Sequence, residues 1–122
     1  MNLATYRREI AQAMTEAELQ DAIINPGDKN GRNQGLAVAH GWKIYHTHDS
    51  RRSHPGWPDL ALARNGRLLL IELKKQDGKV TPDQQAWLDE LAAVMTLSGH
   101  VVQTGVWRPT DLLDGTIEEA LQ

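Results

Sequence analysis

The stretch from Pro58 to Lys74 constrains this chain most. Trp57-Pro58-Asp59-Leu60-Ala61-Leu62-Ala63 is a short apolar run, and Leu68 to Leu73 is a second one, with Glu72 inside it and Lys74-Lys75 at its end. Between them lies Arg64-Asn65-Gly66-Arg67. Asn-Gly flanked by apolar runs is the strongest short-range signal for a hairpin with a two-residue type I′ turn. With Asn65 and Gly66 as the turn, positions whose numbers sum to 131 face each other, so Asp59 faces Glu72. Their Cβ atoms would then lie about 4.5–5.5 Å apart. Alternation along the strand puts Lys74 on the same face as Glu72. Facing carboxylates repel unless a cation joins them. Two acids and a lysine converging in this way suit a divalent-metal site for phosphate chemistry. A purely structural alternative, Glu72 paired with Lys74 or Lys75 at a strand end, leaves Asp59 without a reason.

Both faces of this hairpin are apolar. Leu60, Leu62, Leu69, Ile71 and Leu73 form one side, while Ala61, Ala63, Leu68 and Leu70 accompany Asp59 and Glu72 on the other. Strands of this kind usually lie in the middle of an α/β sheet. At 122 residues the chain is expected to form one domain, residues 1–122, with a core of its own. It has no cysteine, which excludes disulfides and thiolate metal sites. No stretch is long and apolar enough to span a membrane, and the start shows no signal-peptide pattern. The expectation is a soluble, cytoplasmic protein with no membrane partner.

The formal net charge is −3, but the charges are unevenly spread. His40 to Val80 holds eight Lys/Arg against four acids, two of which are Asp59 and Glu72, and the rest of the chain holds five basic and twelve acidic side chains. A basic middle on an acidic body is compatible with a nucleic-acid face. Ordinary solvated charges account for the same numbers.

Before the hairpin, Leu3, Tyr6, Ile10 and Met14 recur at helical spacing. Thr15 with Glu18 makes a capping box for a second helix running to about Ile24. On that helix Glu16, Leu19, Gln20 and Ile23 share a face, so an acid turned inward would be Glu16; a solvated Glu16 favoured by the helix N-terminus is the alternative. Asn25 to Gly35 is rich in Pro, Gly and Asn and reads as an irregular, mobile loop, and Leu36 to His40 as a short helix stopped by Gly41. Trp42 to His48 alternates like a strand. His46, His48 and His54 could suggest zinc, although such histidines are more often polar strand residues beside a groove. Arg51-Arg52, in the loop that leads to Pro58, suit phosphate contacts.

After the hairpin, Thr81-Pro82-Asp83-Gln84 is a helix start with an N-cap, Pro at N1 and Gln at N3. Gln84 lies on the apolar face with Trp87, Leu88, Leu91 and Val94 or Met95, so it reads either as a cap or as a site residue. Met95 to Gly99 would close the helix. His100 to Trp107 reads as a strand interrupted at Thr104-Gly105, joined to the hairpin by a parallel crossover. Thr116 with Glu119 would start a last short acidic helix.

Taken together, Thr15-Glu16-Ala17-Glu18-Leu19-Gln20, Gly56-Trp57-Pro58-Asp59-Leu60, Ile71-Glu72-Leu73-Lys74, Thr81 to Leu88 and Val106-Trp107-Arg108 resemble the VRR-NUC family of the PD-(D/E)XK nuclease superfamily, in its small stand-alone viral and bacterial form. The resemblance implies an α/β fold with a restriction-endonuclease-like core, order αβββαβ, and a mixed central sheet flanked by helices. It implies a Mg²⁺- or Mn²⁺-dependent endodeoxyribonuclease. Asp59 and Glu72 would hold the metal with the Leu73 backbone carbonyl, and Glu16 would be a further candidate ligand. Lys74 would act on the attacking water and the phosphate, with Gln84 in support. Arg51, Arg52, Lys75 and Gln20 would contact DNA. By the same analogy the protein would be a homodimer cutting branched DNA such as Holliday junctions. Two features depart from the family pattern, the Asn25–Gly35 loop and the long 95–105 connection. A non-catalytic DNA- or protein-binding module on the same fold is the alternative.

Overall fold

The computed structural model describes residues 2–48 and 54–122; Arg51 and Arg52 lie outside them. Helices α1 (Leu3–Ala13), α2 (Glu16–Ile24) and α3 (Leu36–Ala39) precede strands β1 (Lys43–His46), β2 (Leu60–Arg64) and β3 (Arg67–Leu73). Helix α4 (Pro82–Ala92), strand β4 (Gln103–Trp107) and helices α5 (Pro109–Leu113) and α6 (Thr116–Leu121) complete the chain. The four strands form one mixed sheet in the order β1-β2-β3-β4, with the first three antiparallel and β3 parallel to β4. The expected αβββαβ core is present, with helices flanking the sheet.

The hairpin forms as its sequence dictates. Asn65 and Gly66 both have positive φ, 49° and 79°, as a type I′ turn requires. Leu60 pairs with Ile71 and Arg64 with Arg67, the expected register. Leu60, Leu62, Leu69, Ile71 and Leu73 are all buried and meet Leu19 and Ile23 of α2, Ala37 of α3, and Ile117 and Leu121 of α6. The other face is covered only in part. There α4 packs on β3 and β4, and Leu70 is buried, whereas Ala63 and Leu68 are exposed. The hairpin is thus central in the sheet but not buried throughout on both sides.

Several boundaries differ from expectation for identifiable reasons. The Asn25–Gly35 segment is irregular but internally bonded: the Asp28 carboxylate accepts from the N–H groups of Asn30 and Arg32, and Gly35 N–H donates to the Asn25 carbonyl. Gly35 also packs so closely on α2 that a Cβ would lie 2.4 Å from the Ile23 carbonyl carbon. Helix α4 ends at Ala92, before Val94 and Met95. Instead Met95 bridges Val101 across a turn in which Gly99 has φ 85°. Strand β4 begins at Gln103 and runs unbroken through Thr104-Gly105, with Gly105 opposite Ile71. The last helix is capped by Gly115, not Thr116, and the Asp114 carboxylate accepts from the Thr116 N–H. Helix α5 was not expected at all, although Pro109 at its first position and Asp111 bonding back to the Arg108 N–H are ordinary start signals.

Candidate active site

Asp59 and Glu72 meet at the end of the β2–β3 ladder. The last paired residues are Leu60 and Ile71, so Asp59 lies one position beyond the strand. There its Oδ2 accepts from the Leu73 backbone N–H at 2.8 Å. Thr47 holds the Asp59 backbone from the other side, donating its N–H to the Asp59 carbonyl at 3.1 Å and its hydroxyl to the Pro58 carbonyl at 3.3 Å. Glu72 is within β3 and only 3% exposed; Lys74, one residue past the strand, is 9% exposed. Lys74 Nζ lies 3.8 Å from Glu72 Oε1, and the Lys74 N–H donates to the Trp107 carbonyl of β4.

Gln84 caps its helix and also reaches Glu72. Its Oε1 accepts from the Thr81 N–H at 2.9 Å, completing the capping box, while its Nε2 donates to Glu72 Oε1 at 2.9 Å. One amide therefore fixes the start of α4 and the orientation of Glu72 together. The loop before the site docks on the same helix. Gly56 has φ 93°, and a Cβ there would lie 2.5 Å from the Asp83 carbonyl carbon and oxygen, so only glycine allows this approach. Trp87 Nε1 donates to the Pro55 carbonyl at 3.1 Å. Arg108 closes the opposite side, donating from Nη1 to the carbonyls of Lys75 and Gly78.

Burial, reinforced by the Asp59 carboxylate and a hydrogen bond shared with it, pushes the Glu72 carboxyl from 4.5 up to about 8. Lys74 opposes this shift and Glu16 adds to it. Buried against Asp59, Glu72 thus favours its protonated form at neutral pH unless a cation offsets the repulsion. The two carboxylates are hard oxygen donors of the kind that Mg²⁺ or Mn²⁺ takes.

The other anticipated residues spread out. Glu16 is exposed at the start of α2, and its charge reaches Glu72. Among the described residues, however, no three His, Asp or Glu side chains gather closely enough to hold a metal. Glu16 therefore does not complete a three-carboxylate site, and His46, His48 and His54 do not form a zinc site; the His46 and His48 rings instead lie 4.0 Å apart, centroid to centroid. Gln20 lines a separate cavity of about 480 Å³ with Ala17, Asp21, Ile24 and His46. Lys75 is exposed, 3.7 Å from Asp77. Sequence reasoning missed Thr47, Gly56 and Arg108 as supports of the centre. Of these, Gly56 and Arg108 lay in stretches that carry the family resemblance, without their backbone contacts being evident there, and Thr47 carried no signal.

The VRR-NUC domain model matches residues 5–100, which include Asp59, Glu72, Lys74 and Gln84. The chain belongs to the VRR-NUC domain family. A solved structure described as a VRR_NUC domain protein superposes with a TM-score of 0.57 at 24% identity, covering 89% of this chain and 91% of that one. That likeness shows a shared VRR-NUC fold. No curated protein matches the chain. VRR-NUC is a nuclease-type family, which connects this domain to DNA. Among the described residues no helix is long and apolar enough to cross a membrane.

Proposed function

We propose that this VRR-NUC domain is an active, Mg²⁺- or Mn²⁺-dependent endodeoxyribonuclease. The observation that carries the reading is the buried Glu72 carboxyl, held by Gln84, against Asp59 and beside Lys74. Asp59, Glu72 and the Leu73 carbonyl would hold the ion. Bound there, a divalent ion supplies positive charge against the phosphate oxygens and makes a water more acidic at neutral pH. Lys74 donates from Nζ to the phosphate oxygens and the incoming water, offsetting charge that builds as the water oxygen attacks phosphorus and the opposite P–O bond breaks. The water's protons end on the phosphate or in solvent and on the departing alcohol. Gln84 keeps Glu72 aimed, and Thr47 keeps Asp59 in place. The Arg51-Arg52 segment, Lys75 and Gln20 are proposed backbone contacts, and Glu16 an electrostatic contributor from α2.

The finer reading is a homodimer acting on branched DNA, which rests on the family resemblance and on no feature of this chain. Cleavage of linear duplexes and four-way junctions in Mg²⁺ tests both levels, alongside the protein's mass in solution. Wild type is expected to cut, with junctions preferred, while Asp59→Asn and Lys74→Ala each lower the rate by roughly 10²–10³-fold. Cutting that survives both substitutions unchanged would overturn the assignment.

A further inference from the structure

A second cavity, of about 300 Å³, is lined by Tyr45, Thr47, His54, Trp57 and Trp87. The Trp57 and Trp87 rings meet edge to face, 5.0 Å between centroids and 84° between planes. Trp87 satisfies its only polar atom by bonding to the Pro55 carbonyl, so its ring is fixed and ready for apolar contact. Tyr45 is 62% exposed on the edge strand β1. Three of the walls are tied to the centre. Thr47 bonds to the Pro58 and Asp59 carbonyls, Trp57 is two residues before Asp59, and Trp87 is one helical turn beyond Gln84. The Thr47, Trp57 and Trp87 side of the cleft is therefore held in register with Asp59 and Gln84.

We propose that this cleft takes a single unpaired nucleobase of the DNA strand whose phosphate lies at Asp59 and Glu72. The proposal rests on the nuclease reading and specifies where its substrate is gripped. Its walls are aromatic rings, and its residues bring polar groups in the Tyr45 and Thr47 hydroxyls, the Trp57 indole N–H and the His54 imidazole, an arrangement that suits a flat heterocycle with hydrogen-bonding edges. The volume is at the low end for ligand pockets, enough for one ring system. Charge points the same way: among the described residues no Lys or Arg lines the cleft to meet a phosphate, which favours the neutral base as the occupant. A base within a duplex is already stacked on its neighbours, so an unpaired one enters at least cost.

The test uses the full chain and oligonucleotides carrying 2-aminopurine at an unpaired position, titrated in EDTA and in Ca²⁺. Stacking in the cleft is expected to quench the probe. Tyr45→Ala, at an exposed position, should reduce quenching and weaken binding, and Trp57→Leu should do so further, by about 5- to 150-fold. Unchanged melting temperatures establish that each variant is folded. On the same oligonucleotide with an abasic position, wild type and variants should bind alike, since the stacked base is gone. Equal losses on abasic and base-bearing strands would overturn the proposal, as would quenching that both folded variants retain. So would Tyr45-dependent self-association without quenching, which would make the cleft a protein contact. A strand that quenches in the cleft but is never cut by wild type in Mg²⁺ overturns the nuclease reading alone; a strand cut normally by both variants overturns the cleft alone.

Discussion

With Asp59 against it and the sheet around it, the Glu72 carboxyl keeps its proton up to about pH 8, whereas in the unfolded chain it loses that proton near 4.5. Between those values the folded state binds more protons than the unfolded one, so this group's contribution to stability falls as pH rises and is fully present only below about 4.5. Glu72→Gln mimics the protonated form, keeping an oxygen for Gln84 and an N–H for Asp59. In the absence of metal, the variant should gain on wild type steadily from pH 5 to pH 8, read from denaturation midpoints. A constant difference across that range would mean that burial and Asp59 do not hold the proton on Glu72. The Asp59–Glu72 pair was legible in the sequence because hairpin register follows from one Asn-Gly turn and strict alternation. Thr47 was not, because its bonds to Pro58 and Asp59 span a loop whose path no local pattern encodes.

Elements meet the centre through backbone contacts that composition does not reveal. The loop at Gly56 presses on the first turn of α4, and α4 in turn delivers Gln84 to Glu72. Gly56→Ala puts a Cβ into the Asp83 carbonyl at a φ that disfavours alanine, and should cost about 1–3 kcal/mol of stability. It should also slow cleavage, since the start of α4 has to move; a variant as stable and as active as wild type would refute this coupling. The start of α4 was readable because Thr81, Pro82 and Gln84 act within one turn. Its end was not, because Val94 and Met95 continue the apolar spacing, yet the backbone leaves the helix for the Met95–Val101 bridge. Short α5 escaped notice since five residues are too few to show periodicity, despite Pro109 at its first position.

Across the whole molecule, the family match stops at residue 100, but the core does not. Strand β4 extends the sheet beside Glu72, and Ile117 and Leu121 of α6 are fully buried against β2 and β3. The end of the chain is tied back by Trp42 Nε1 donating to the Leu121 carbonyl at 2.8 Å, and by Arg67 bonding to the Ala120 and Gln122 carbonyls while lying over the Trp42 ring. Ile117→Ala should therefore cost about 2–5 kcal/mol, measured by denaturant unfolding, even though it lies outside the matched residues. A loss below about 1 kcal/mol would mean α6 is dispensable. The centre itself is tested most directly by titrating metal-depleted protein with Mn²⁺ and following its melting temperature. Wild type should show a saturable rise, lost in Asp59→Asn, with a proton released to solvent at pH 7 as the Glu72 carboxylate binds the ion instead. An identical rise in Asp59→Asn, or none in wild type, would contradict a divalent-metal centre at Asp59 and Glu72.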